Sequence, residues 1–341
     1  MIRFGIIGFG LHAVKRLMPG FRLARNARVI ALFRRDPDKA AASAREYGIP
    51  LAFTSVEELC RSSEVDAVFV ATPNSLHRDD VLTALRFGKP VLVEKPMGIN
   101  AEECREMVEA ARRAGLLLGV AQIFRFADSA ARLRERISAG EIGRIVFAHS
   151  EFSYWGRGHA RTWITDSAVA GGGPIADVGV HCIDALRYVL DDEITTVHAS
   201  GYSDAESGAV EAAAAVTLTF RRAGLGVVLV STRADYRTPL EFVGENGVLR
   251  ADDGLTVDHP IQIELRRGGA TVDGEQVSNQ LAYARQVDAF AAAIEGGEPF
   301  PAPGEQGWQN QLVLDAAYRS LRTGRTERVP FVQQERAELA G

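Results

Sequence analysis

Three stretches of this 341-residue chain have residue types and spacings suited to chemistry. The first is Gly8-Phe9-Gly10-Leu11-His12-Ala13, a GxGxxA sequence directly after a short apolar run. Glycines there permit a tight turn and let backbone amides approach a pyrophosphate, which then sits at the positive end of the following helix. The same residues also read as a plain strand-to-helix turn without a ligand, but the strand and helix units that follow favour a dinucleotide. The second stretch is Val93-Glu94-Lys95-Pro96. A lysine at the carboxyl end of a sheet strand can polarise an alcohol or carbonyl oxygen, and Glu94 beside it can orient the ammonium; an ordinary solvated lysine is the alternative. The third runs from Gly171-Gly172-Gly173-Pro174 through Asp177 to His181 and Asp184. A helix beginning near Ala176 would put Asp177 and His181 one turn apart on one face, where an imidazole can exchange a substrate proton and a carboxylate can orient it. A helix-stabilising carboxylate with a buried histidine reads equally simply. A metal held by His181 with Asp177 or Asp184 has no third ligand at suitable spacing.

The end of the second apolar run carries a signal for the kind of dinucleotide. An acidic residue for the ribose hydroxyls is expected there, roughly 20 residues past the glycine loop. This chain has Arg34 and Arg35 instead. Guanidinium groups hold a 2′-phosphate that a carboxylate would repel, which favours NADP over NAD. The competing reading turns Asp36 toward the ribose, although Asp36 before Pro37 also suits a helix cap.

The elements needed to position these residues follow two regimes. From Ile2 to about Val120, apolar runs alternate with helical patterns: IRFGII and a helix after Leu11, ARVIALF and Pro37 to Tyr47, DAVFVA and Arg78 to Phe87, PVLVE and Ala101 to Ala114, then LLLGV. This rhythm predicts a doubly wound parallel sheet over residues 1–122. After one more helix ending near Ala139-Gly140, IVFAHSEFSYW, TTVHASGY, VEAAAAVTLTF, LGVVLVSTRADY and PLEFVG read as long strands, with GENG as a hairpin turn. Strands in series predict an α+β domain over residues 123–341 with a large, open, mostly antiparallel sheet. Helices near Leu281 to Glu295 and Gln309 to Arg322 then cover that sheet or dock on the first domain.

Composition narrows the partners. A net charge of -5 without a clustered basic face argues against nucleic acid, and no apolar run reaches the roughly 18 residues of a membrane span. The first residues break into the glycine loop rather than forming a signal peptide. Cys60, Cys104 and Cys182 are odd in number and widely spaced, as expected of a reducing cytoplasm.

In their order along the chain, GFGLHA, Ala71-Thr72-Pro73-Asn74-Ser75-Leu76-His77, Glu94-Lys95-Pro96 and GGG…DVGVHCID resemble the glucose-fructose oxidoreductase and inositol dehydrogenase (Gfo/Idh/MocA) family over nearly the whole length. The resemblance implies a Rossmann domain plus an open-faced sheet domain, hydride transfer between a nicotinamide cofactor and a sugar, polyol or related carbonyl, and homodimers or homotetramers built through the sheet face. It implies Lys95, Asp177 and His181 as the catalytic set, with His181 as general acid/base. Thr72, Pro73 and Asn74 would line the nicotinamide ribose, Glu94 would lie against the cofactor, and His77 belongs to the same cofactor-binding stretch. NADP-preferring relatives more often carry Ser-Arg than Arg-Arg where this chain has Arg34 and Arg35. The segment from Tyr154 to Val169, with Arg157, His159, Arg161 and Trp163, is where relatives differ most; it reads as a substrate-shaping loop or as a surface loop packed by its tryptophans. Two other classes share the scaffold: a non-catalytic cofactor-binding sensor, which has no need of Lys95, Asp177 and His181 together, and a glycosidase that retains NAD, which Arg34 and Arg35 make less expected.

Overall fold

A computed structural model describes residues 1–156, 158 and 162–332. The first part of the chain alternates strands and helices: β1 (Ile2–Ile7), α1 (Met18–Leu23), β2 (Ala27–Phe33), α2 (Pro37–Tyr47), β3 (Leu51–Phe53), α3 (Val56–Arg61), β4 (Ala67–Val70), α4 (His77–Arg86), β5 (Val91–Val93), α5 (Ala101–Ala114) and β6 (Leu118–Val120). The six strands pair in the order β3-β2-β1-β4-β5-β6, all parallel. This is a Rossmann sheet with its switch of direction between β1 and β4. β4, β5 and β6 are buried throughout, as expected of strands covered on both faces. Helix ends follow their capping residues. Asp36 caps α2 through the Lys39 amide and Asn100 caps α5 through the Glu103 amide, while Gly48 and Gly115 close the two helices in the left-handed conformation.

The next part begins with α6 (Asp128–Ser138), β7 (Ile145–Trp155), α7 (Ser167–Ala170), α8 (Val180–Leu190) and β8 (Ile194–Tyr202). It continues with β9 (Ala213–Phe220), β10 (Leu225–Ser231), β11 (Arg233–Arg237), β12 (Leu240–Gly244), β13 (Gly247–Ala251), β14 (Ile261–Arg267) and β15 (Ala270–Val277). Helices α9 (Ala282–Ile294) and α10 (Gly304–Thr323) and the short strand β16 (Glu327–Arg328) follow. The sheet runs β15-β14-β13-β12-β7-β10-β9-β8-β16, with β11 paired to β7. Among the pairs of this sheet, β7 with β10 is parallel and the others are antiparallel. The GENG turn joins β12 to β13 as expected, with Gly244 opposite Gly247. LGVVLVSTRADY is two strands rather than one: β10 and β11 both pair with β7, in opposite senses, so the chain turns at Thr232.

Contacts divide the chain into two units, residues 1–123 with 281–308, and residues 124–280 with those from 309 onward. In the first unit α9 lies on α1, and Phe290 joins an aromatic core with Phe4, Phe21 and Phe300. Burying each such ring stabilises the unit by about 1.5–3 kcal/mol. In the second, α6 and α8 cover one sheet face and a buried ion pair fixes α8: Arg125 grips both carboxylate oxygens of Asp184, which also accepts a hydrogen bond from Asn310. Asp184 is thus committed to Arg125, which removes it from the metal reading.

Candidate functional site

The first unit gathers its candidate residues at the carboxyl ends of β1, β2, β4 and β5. Gly8 ends the β1 turn at φ +92°, and a Cβ there would lie 2.6 Å from Ala71 carbonyl carbon and Thr72 nitrogen. Close packing of the β1 and β4 ends therefore requires glycine at this position. Gly10 is different: it is exposed, and a Cβ would touch nothing of the protein. The fold itself makes no demand there, so the bare backbone is available to a ligand, which is the fit a pyrophosphate needs. Phe9 and Ala13 point inward and are buried, Leu11 is exposed, and residues 11–23 are helical, opening with a π-turn at Ala13–Leu17.

At the end of β2, the Arg34 amide donates to Phe53 O and its Nη1 donates to Ser43 Oγ at 2.8 Å. Arg35 is exposed. Asp36 accepts from the Lys39 amide at 3.0 Å, and this bond holds its carboxyl below the usual range. Asp36 is therefore occupied as a helix cap.

The loop after β4 carries Thr72, Pro73 and Asn74. Thr72 Oγ1 donates to Asp80 Oδ2 at 2.7 Å. His77 is fully buried, with Nε2 2.9 Å from Thr72 O and Nδ1 3.0 Å from Pro96 O. Its ring thus spans the Thr72 loop and the Lys95-Pro96 loop; burial pushes its pKa down, against the two carbonyls that favour the protonated ring. After β5, Glu94 Oε1 pairs with His12 Nε2 at 2.9 Å, and Oε2 accepts the Lys95 amide. Burial would raise the Glu94 carboxyl, but His12 and Lys95 outweigh it and hold it low. The glycine loop and the Glu94-Lys95-Pro96 loop are tied through this hydrogen bond. Lys95 is half-buried and precedes a cis proline.

Asp80 yields a prediction. Burial pushes its carboxyl up to about 6. A group raised on folding contributes stability below its unfolded pKa and loses it as pH rises through the folded one. Asp80→Asn keeps an acceptor for Thr72, so it is expected to stabilise by about 3 kcal/mol near pH 8 and by less than about 1 kcal/mol near pH 4. Thermal unfolding of both proteins across that range checks the trend; a gain independent of pH would contradict it.

The second unit contains a cavity of about 430 Å³ whose walls include Tyr154, Asp177, Glu206, Glu211, Thr232 and Arg233. Asp177 accepts from Tyr154 Oη at 2.8 Å. Arg233 is fastened by two bonds to Asp204, at 2.7 and 2.9 Å, which holds that carboxyl far below the usual range. His181 is half-buried between Phe124, edge-on at 5.2 Å, and Phe152, stacked at 6.0 Å. The helix differs from the sequence expectation. Ile175–Gly179 is a π-turn that runs into α8, so Asp177 sits in the wider turn and His181 in the α-helix. An extra residue per turn is common where side chains must be aimed at a site. Of the variable loop, Thr162, Ile164 and Thr165 line the cavity; Arg157, His159 and Arg161 lie outside the described residues. Glu206, Glu211, Thr232 and Arg233 were not singled out by sequence. The one available signal was the lone charge of Glu211 ahead of an alanine-rich strand.

Comparison with known proteins bears on the family and the fold. Residues 2–122 match the family model described as oxidoreductase family, NAD-binding Rossmann fold, and residues 130–250 match the GFO/IDH/MocA C-terminal domain. The chain is 33% identical to 1,5-anhydro-D-fructose reductase of Ensifer adhaerens, covering 96% of this chain and 99% of the reductase. It is 31% identical to D-xylose 1-dehydrogenase (NADP(+)) 2 of Haloferax volcanii, covering 94% and 98%. The crystal structure of aldose-aldose oxidoreductase from Caulobacter crescentus, in complex with glycerol, superimposes with a TM-score of 0.87 at 25% identity, covering 96% and 99%. With both of its parts matched and its Rossmann sheet intact, the chain belongs to the Gfo/Idh/MocA family of oxidoreductases.

Proposed function

We propose that this oxidoreductase transfers a hydride between NADP(H) and a CH–OH or carbonyl carbon of a sugar, polyol or related small molecule. The observation that carries the reading is the cavity around Asp177 and Tyr154, largely apolar with a few convergent polar groups, whose size suits a monosaccharide-like ligand. The names of the reductase and xylose dehydrogenase relatives support the substrate class. Gly8, Phe9, Gly10, Leu11, His12 and Ala13 hold the pyrophosphate, and Arg34 with Arg35 the 2′-phosphate. Thr72, Pro73 and Asn74 line the nicotinamide ribose, and Glu94 and Lys95 lie against the cofactor. His77, being fully buried, serves by bracing the two loops. When bound, the nicotinamide supplies or accepts the hydride at its C4. His181 exchanges the proton of the reacting oxygen, Lys95 stabilises the charge that develops on it, and Asp177 orients His181 or a second hydroxyl. The test is nicotinamide absorbance during incubation with 1,5-anhydro-D-fructose plus NADPH and with D-xylose plus NADP. Turnover with either pair supports the reading; none with these or with a panel of sugars and polyols contradicts it.

A homo-oligomer and a cytoplasmic location complete the proposal. On the sheet face opposite α6 and α8, Phe147, Leu225, Val227 and Leu229 of β7 and β10 form an exposed apolar row, and such rows mark interfaces. A second copy of the chain covers it, as the family resemblance implies. Leu229→Glu is expected to reduce the mass measured by light scattering to that of one chain; an unchanged mass would place the interface elsewhere. The three cysteines are free and buried, consistent with a reducing compartment, and no helix among the described residues is long and apolar enough to cross a membrane.

A further inference from the structure

The helical run at 174–190, which carries Asp177 and His181, begins with backbone amides that have no partner within the helix. The Ala176 and Asp177 amides reach Gly173 O at 3.0 and 2.9 Å, and side chains from elsewhere in the second unit serve the Gly173, Ile175 and Ala176 amides. Glu211, just ahead of β9 and 8% exposed, accepts the Gly173 amide on Oε2 at 3.0 Å and the Ile175 amide on Oε1 at 2.9 Å. Tyr318 of α10 donates its hydroxyl to Glu211 Oε1 at 3.0 Å, and Tyr318 Oη itself accepts the Ala176 amide at 3.2 Å. Two side chains thus cap three successive donors at the positive end of a helix, where a carboxylate is favoured.

The triple glycine makes this clamp possible. A Cβ on Gly172 would lie 1.8 Å from Tyr318 Oη, and one on Gly173 would lie 2.4 Å from Glu211 O and 2.9 Å from its carboxyl carbon. The glycines therefore serve close approach to Glu211 and Tyr318. The turn they lead into is the π-turn that holds Asp177, and Glu211 lines the same cavity as Asp177.

We propose that Glu211 and Tyr318 are positioning residues for the reaction: they clamp the start of the helical run, and through it they aim Asp177 and His181. This assignment rests on the functional reading above. Burial raises the Glu211 carboxyl, and only the hydrogen bonds it accepts offset that cost, which is consistent with a group kept for its acceptors.

The experiment compares wild type, Glu211→Gln, Tyr318→Phe and the double variant by two readouts. The first is amide hydrogen exchange of the segment 172–182. The second is steady-state reduction of 1,5-anhydro-D-fructose with NADPH and with NADPH deuterated at C4. Glu211→Gln places an amide group against backbone donors, so exchange in this segment should rise at least about 10-fold while the first unit keeps its protection. kcat should fall about 10- to 100-fold with KM for NADPH unchanged, and the isotope effect on kcat should rise as hydride transfer becomes slower relative to other steps. Tyr318→Phe should do the same more weakly, and the double variant should add little, because both act on one turn. Unchanged exchange in both single variants would overturn the clamp. A lower kcat matched by an equal loss of folded enzyme, measured by circular dichroism, would overturn the positioning role. If wild type itself gives no turnover, that counts against the functional reading alone, and the exchange data still decide whether the clamp exists.

Discussion

Replacing His181 by alanine is expected to lower turnover by about 10²- to 10⁴-fold, the usual contribution of a positioned general acid or base. Its ring is held between Phe124 and Phe152, so its orientation is set by packing on two sides. Lys95→Ala should cost a comparable amount, the loss expected when a cation proposed to stabilise developing charge is removed. His181→Ala leaves the glycine loop, Arg34 and the Glu94-Lys95 loop untouched, so its NADPH affinity measured by fluorescence titration should stay within a few-fold of wild type, whereas Lys95→Ala, next to the cofactor, should weaken NADPH binding by far less than it lowers turnover. A large loss of NADPH affinity with unchanged turnover at saturation would move the residue from chemistry to cofactor binding.

Arg34→Asp is expected to weaken NADPH binding by about 10²- to 10³-fold, roughly 3–4 kcal/mol, while NADH binding stays the same or improves. A charge-assisted bond to the 2′-phosphate is lost and a like charge is put in its place. The geometry favours this reading over one in which Asp36 holds the ribose. Arg34 is anchored at the end of β2 by its amide and by Ser43, and Asp36 is engaged as the α2 cap. Titration of both proteins with both dinucleotides decides the point. Equal affinity of wild type for NADPH and NADH would remove the assignment to NADP.

Much of the first unit was legible because its signals are local. The boundaries of α2 and α5 could be read from Asp36-Pro37 and Asn100 at one end and Gly48 and Gly115 at the other, since capping involves residues a few positions apart. β3 and α3 escaped notice: a three-residue strand is too short for periodicity, although Ser55 with Glu58 was a capping signal for α3. The β14–β15 hairpin was missed because β15 is largely exposed and carries little apolar pattern. α10 begins at Gly304, ahead of the expected Gln309, because Gly304 and Gly307 are contact points: added Cβ atoms would lie 3.0 Å from Leu118 and 2.5 Å from Val120. Glycine read as a breaker there because its packing partner is distant in sequence. The same reason hid Glu211 and Tyr318, which act on a turn 36 and 142 residues away in the chain. The motifs announced which residues could carry chemistry, while the groups that hold them are visible only in the folded chain.

Hydride transfer to a sugar-type carbonyl is tested by following the hydride itself. Purified enzyme would be incubated with 1,5-anhydro-D-fructose and NADPH carrying deuterium at both C4 positions, and the product examined by mass spectrometry and NMR. The product should carry one deuterium on the former carbonyl carbon, delivered to a single face, and His181→Ala should form at least about 100-fold less of it over the same time. Oxidation of the dinucleotide with no deuterium in the product would contradict hydride transfer to the carbonyl.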